Sequence, residues 1–237
     1  MATGTLFLIP NTLGSEQVDN IIPPTVAETA IRLRHFAVEE IKSARRFLRK
    51  IDRQFPIDDS EFTIMNKRTA APELMGLIRT LKAGEDVGVM SEAGCPGIAD
   101  PGNVLVALAH ENGIRVCPMV GPSSILLTLI GSGFNGQEFA FHGYLPKVQK
   151  ERVRKMKDLE ARVRRTGETQ LFMDTPFRNM HVIEDLLNEL SDDTLLCVAT
   201  NLTLFDEHIN TRTIADWREN VYDLGKNPTM FALGKLK

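Results

Sequence analysis

Apolar residues recur along this chain in two alternating rhythms. Short runs rich in Val, Ile, Leu and Phe predict strands at Thr5–Ile9, Glu61–Met65, Asp86–Ser91, Arg115–Val120, Glu138–His142, Gln170–Asp174, Thr194–Thr200 and Thr229–Leu233. Between them, apolar positions three and four apart predict helices over Pro72–Ala83, Asn103–Asn112, Pro122–Ile130, Lys150–Arg165 and Asn179–Leu190. Gly84 and Gly113 stand just past two of these helices, where a left-handed residue closes the last turn. Strand and helix alternate from end to end, which predicts an α/β fold with mainly parallel sheets. After Val120 the pattern is interrupted: Gly121, Gly131, Gly133 and Gly136 crowd a segment that also holds Ser123, Ser124 and Ser132. A connection there divides the chain into an N-terminal α/β domain over 1–120 and a C-terminal one over 121–237, each with four or five strands. Two such domains meeting at a cleft is the expected architecture, with a single doubly wound sheet as the alternative.

Composition narrows the class. With 237 residues, 43% of them hydrophobic, the chain can bury a core without staples. Cys95, Cys117 and Cys197 are sparse, odd in number and never spaced C-x-x-C, which suits a reducing compartment. The apolar run Leu6–Ile9 follows no basic segment and reads as a strand, not a signal peptide. No apolar stretch approaches the roughly 18 residues of a membrane span, so the expectation is a cytoplasmic protein with no membrane partner. His35, His110, His142, His181 and His208 are scattered, and no metal site is expected.

Three loops carry candidate chemistry. Pro10–Gly14 follows the first strand, where open α/β sheets bind ligands, but it matches no nucleotide fingerprint. Ser91–Gly102, Ser-Glu-Ala-Gly-Cys-Pro-Gly-Ile-Ala-Asp-Pro-Gly, is longer than most strand-to-helix connections need. Its glycines allow close backbone approach, and Asp100-Pro101 reads as a helix N-cap with proline at the first turn. Gly121-Pro122-Ser123-Ser124-Ile125 opens an apolar helix with free N–H groups, either a plain serine cap or a carbonyl or anion site.

Together with Gly143–Pro146, Phe172–Arg178 and Asn227-Pro228-Thr229, these loops resemble the tetrapyrrole (corrin/porphyrin) methylase superfamily of S-adenosylmethionine (SAM) dependent methyltransferases. Within it the chain is most similar to the branch that methylates a ribose 2′-hydroxyl of small-subunit ribosomal RNA. The resemblance implies two αβα domains, a homodimer and SAM held in the cleft between domains. By position it implies SAM contacts from Pro10, Gly94, Cys95, Ile98, Ser123 and Ser124, and from Met173, Asp174, Asn201, Leu202, Pro228 and Thr229.

Charge is segregated. The net charge is −3, yet residues 147–165 carry +6 and residues 32–53 carry +5, leaving −14 on the other 196. Two basic segments in a weakly acidic chain suit an RNA or ribosome partner, the bland reading being solvated helix faces. Methyl transfer to a ribose hydroxyl benefits from a base within hydrogen-bond reach. Glu39, Glu40, Glu92, Asp100, Asp174 and His142 are candidates; Glu92, inside the most specific loop, and Glu40, in an acidic segment, are the expected pair. Cys95 reads as a small residue close to a ligand. Trp217, Phe134, Phe139 and Phe141 read as core or dimer contacts. The competing readings are a methylase of a small molecule such as a corrinoid, and a non-catalytic RNA-binding relative.

Overall fold

Leu6, Ile9, Val87 and Val89 are fully buried, because the strands that carry them are covered on both faces. In the computed structural model, which describes residues 2–66 and 68–236, these strands belong to a five-stranded sheet. Its members are β1 (Thr5–Ile9), β2 (His35–Val38), β3 (Glu61–Ile64), β4 (Val87–Met90) and β5 (Arg115–Pro118). They run in the order β3-β2-β4-β1-β5, every pair parallel. The connections include helices α1 (Pro24–Arg32), α2 (Ile41–Ile51), α3 (Ala71–Lys82) and α4 (Asn103–Glu111). One apolar cluster joins Ile9, Phe36, Val38 and Met90 to Val26, Phe47 and Leu48; another joins Leu6, Ala37, Val87 and Val89 to Leu74, Ile78 and Leu105. A strand buried on both faces reads as a continuous apolar run, as Val87–Met90 does. Gly84 and Gly113, at φ +98° and +66°, stand just past α3 and α4.

Contacts divide the chain into two compact units, Met1–Ser123 and Ser124–Lys237. The second contains α5 (Ser124–Ser132), β6 (Phe139–Tyr144), α6 (Gln149–Thr166), β7 (Thr169–Met173), α7 (Asn179–Glu189), β8 (Leu195–Thr200), β9 (His208–Thr213), α8 (Ile214–Glu219) and β10 (Thr229–Gly234). Its sheet runs β6-β7-β10-β8-β9. Only β6 and β7 are parallel; β10 is antiparallel to both neighbours, and β9 to β8. This corrects the parallel expectation for the second half. The short link from β8 to β9 cannot hold a crossover, so β9 returns antiparallel. β2 and β9 are also additional to the expected strands, β9 being polar in sequence.

Period-two alternation sorts the second core. Phe172 and Phe231 stack at 5.6 Å and pack with Trp217 and residues of α6 and α7. Their strand neighbours Leu171 and Ala232, with Cys197, face α5. Trp217 donates its indole N–H to the Leu196 carbonyl at 2.9 Å. Arg152, on the inner side of α6, donates from Nε to Asp185 Oδ2 at 2.7 Å, and Nη2 lies 2.6 Å from the same oxygen, with both side chains 7% exposed. Gln149 satisfies the other carboxylate oxygen at 2.8 Å. Removing one member of a buried pair strands the other charge. Arg152→Leu is therefore expected to cost about 3–5 kcal/mol, and Arg152→Leu with Asp185→Leu clearly less. Urea unfolding followed by the single tryptophan, Trp217, checks this; equal losses in the single and double variants would contradict the assignment.

Candidate functional site

The first unit gathers its candidate loops at the carboxyl ends of three adjacent strands, β4, β1 and β5. Asn11, 8% exposed, ties two of them together. Its backbone N–H donates to the Gly94 carbonyl at 2.9 Å, and its side-chain amide to the carbonyls of Glu92 (3.1 Å) and Ser91 (3.4 Å). Its side-chain oxygen accepts from Thr12 N at 2.8 Å. The Ser91 hydroxyl adds a bond to the Gly94 carbonyl at 3.1 Å. Gly94 holds φ +67°, where a side chain is strained, and a Cβ there would press Leu13 at 3.2 Å. The third loop closes by contact. A Cβ on Gly121 would lie 2.2 Å from that of Pro10, so only glycine lets these chains pass. The Cys95 thiol reaches the Pro122 carbonyl at 3.4 Å, and burial pushes its pKa up. Pro10, Gly94 and Cys95 are thus brought into one cluster, with Ser123 just beyond Pro122. Ile98, 48% exposed, sits on the outer part of the loop.

Two expectations change here. Asp100 is not the cap of α4: the N-cap is Gly102, at φ +139°, because the loop continues two residues further before the helix starts. Glu40 accepts from Lys42 N at 2.8 Å and Ser43 N at 2.6 Å, so both its oxygens cap α2. Those backbone bonds hold its carboxyl below the usual range, which makes it a poor proton acceptor. Glu92 is exposed, with its backbone fixed by Asn11. His142 contacts Gln170 Oε1 at 2.8 Å from β6, and burial holds its pKa below the ordinary imidazole value.

The second unit assembles its own cluster at one end of its sheet, where β7 and β8 finish and β10 begins. Met230 pairs with Met173, and Thr229 with Thr200. Asn201 N donates to the Pro228 carbonyl at 3.0 Å. Asn179, absent from the sequence expectations, donates to the Asn227 carbonyl at 2.7 Å and to Thr229 Oγ1 at 3.0 Å. Asp174 pairs with Arg178 at 2.5 Å and accepts from Thr175 N at 2.6 Å. Asn201 and Thr203 hold positive φ, +51° and +70°. Four buried atoms here have no partner: Asp174 Oδ2, Arg178 Nη1, Asn179 Oδ1 and Thr203 Oγ1. Buried polar groups are rarely left so, and their concentration points to a ligand. Met173, Asp174, Asn201, Leu202, Pro228 and Thr229 all belong to this end. Among the described residues, no group of three or more His, Cys, Asp or Glu could hold a metal, and no helix is long and apolar enough to cross a membrane.

The basic segments differ in how their charge is spent. On α6, Arg152, Lys157, Arg162 and Arg164 pair with carboxylates. On α2, among the described residues, only Lys50 does, with Glu16 at 2.6 Å.

A sequence model of the family described as Tetrapyrrole (Corrin/Porphyrin) Methylases matches residues 15–217. A Haemophilus influenzae protein named ribosomal RNA small subunit methyltransferase I is 28% identical over 217 residues, covering 92% of this chain and 72% of that one. The protein of the same name from Escherichia coli O157:H7 is 27% identical over 225 residues, covering 90% and 70%. The crystal structure of the methyltransferase CobJ superposes with TM-score 0.63 at 17% identity, over 99% of this chain and 95% of that one, and shows the same fold.

The role of Glu40 as a cap has a pH signature. Its lowered folded pKa means that its stabilisation is present above the unfolded glutamate value and is lost as pH falls through the folded one. Glu40→Ala is expected to melt lower than the parent at neutral pH, the gap closing as the pH falls below the ordinary glutamate range. Thermal melts across that range test it; a gap independent of pH would contradict the cap.

Proposed function

The chain belongs to the tetrapyrrole (corrin/porphyrin) methylase family and is a methyltransferase, and on that premise we propose that it methylates a ribose 2′-hydroxyl of small-subunit ribosomal RNA, using SAM. The observation that carries the cofactor reading is the set of four unpartnered buried atoms in the second unit. They comprise donors and acceptors, and SAM bears an amine, a carboxylate, hydroxyls and an adenine to match them. The residues that would hold it there are Met173, Asp174, Asn201, Leu202, Pro228 and Thr229, with Arg178 and Asn179 added by the orphaned atoms. In the first unit they are Pro10, Gly94, Cys95, Ile98, Ser123 and, across the unit boundary, Ser124. When bound, SAM supplies an electrophilic methyl group on a sulfonium.

Everything else falls to the chain's own side chains. A ribose hydroxyl is a weak nucleophile, and Glu92 is the carboxylate suited to accept its proton: it is solvent-exposed and its backbone is fixed. Glu40 keeps the helical cap. RNA as the substrate is supported by the names of the relatives and by the α2 cations that have no carboxylate ion pair among the described residues. The exposed apolar residues Leu126 and Ile130 of α5 support a homodimer, and the sparse free cysteines support a cytoplasmic setting.

Labelled SAM incubated with small ribosomal subunits lacking the modification is expected to place nuclease-sensitive, protease-resistant label in RNA. Glu92→Gln should lower kcat by about 100-fold or more with SAM affinity unchanged. Calorimetric SAM binding without label in RNA would move the substrate to another class; no SAM binding would overturn the cofactor reading.

A further inference from the structure

Glu92 shares a cavity of about 220 Å³ with Asn11, Thr12, Gly14 and Glu16 and with Ser43, Arg46, Phe47 and Lys50 of α2. That is below the size of drug-like pockets and suits a single sugar-phosphate. Its charged groups are unequal. Lys50 is paired to Glu16 at 2.6 Å. Arg46 has no hydrogen bond or ion pair among the described residues and only feels the field of Glu16. The neighbouring cations are engaged elsewhere: Arg45 lies over the Phe62 ring at 5.2 Å, and Arg49 donates to the Arg53 carbonyl at 2.5 Å while lining a separate groove. One uncommitted guanidinium and one uncommitted carboxylate therefore line the same small cavity.

In RNA, the 2′-hydroxyl and the 3′-phosphate sit on adjacent carbons of one ribose. We propose that this cavity receives that pair, Arg46 binding the 3′-phosphate of the target nucleotide while Glu92 accepts from its 2′-hydroxyl. The assignment rests on the ribose reading above and identifies the subsite. It also answers the repulsion that a lone carboxylate would exert on RNA: the positive charge of Arg46, lining the same cavity as Glu92, offsets it. A guanidinium matches phosphate oxygens bidentately, whereas an ammonium meets them as a point charge, so Lys is an incomplete replacement.

The test is binding by the whole chain of the four ribonucleoside 3′-monophosphates against their 5′ isomers, followed by calorimetry or NMR titration. The 3′ isomers are expected to bind at least about tenfold more tightly, a preference abolished by Arg46→Ala and partly kept by Arg46→Lys. On ribosomal subunits, Arg46→Ala should raise KM about tenfold with SAM affinity unchanged, and flatten the salt dependence of KM by about 0.7 in log–log slope. Isomers bound equally, or a preference that survives Arg46→Ala, would overturn the subsite even if the wild-type chain methylates RNA. A retained 3′ preference lost in Arg46→Ala, with no label entering ribosomal RNA, would uphold the subsite and send the ribose reading to a different RNA.

Discussion

Where β1 ends at Ile9, the parallel ladder with β4 runs out, and the carbonyls of Ser91, Glu92 and Gly94 need donors that no strand supplies. Asn11 meets all three, through its backbone N–H and its side-chain amide. The long loop after β4 is thereby held against the loop after β1, although the two are about 80 residues apart in sequence. The rest of the first site depends on that closure: Gly94 is fixed in its left-handed turn, Cys95 meets Pro122, and the backbone of Glu92 is anchored while its side chain is left exposed. The backbone amide bond alone would hold one point of the loop; the carboxamide adds two more.

The candidate clusters of the two units treat their polar groups in opposite ways. The first satisfies its own polar groups and presents small residues, closely spaced loops and an apolar Ile98. The second leaves acceptors and donors buried and unpaired beside Asp174, Arg178 and Asn179, with strained backbone at Asn201 and Thr203. Desolvated polar groups and positive φ at non-glycine residues both cost stability, and both are tolerated where binding recovers the loss. The antiparallel return of β10 makes this possible. It brings the start of one strand beside the ends of two others, so Thr229 and Asn179 come within hydrogen-bonding distance from fifty residues apart.

Charge carried in the sequence is not charge offered to a partner. α6 is the more basic segment by count, yet Arg152 is buried against Asp185 and three more cations are paired. α2 carries no acidic residue between Ile41 and Ile51, and among the described residues its one carboxylate ion pair is that of Lys50 with Glu16. Half of the cations of α6 are thus spent in carboxylate pairs, whereas among the described residues α2 spends one of its five, and α2 lies next to the loops of the first site.

The apolar rhythm was sufficient to read the α/β class, most of the strands and the three loops of the first unit, because a strand's burial and a loop's glycines are local properties. The family resemblance added the second set of site positions. Strand direction in the second sheet was not legible, since a short apolar run is the same whether its neighbour runs parallel or antiparallel. Nor were the capping of α2 by Glu40, the displacement of the α4 cap from Asp100 to Gly102, or the parts played by Asn179 and Arg178. Each depends on which groups meet across long stretches of chain, and on which of them lose water when they do. Composition supplies the charges and hydrogen-bonding groups; only packing determines which ones are consumed by the fold and which remain for a ligand.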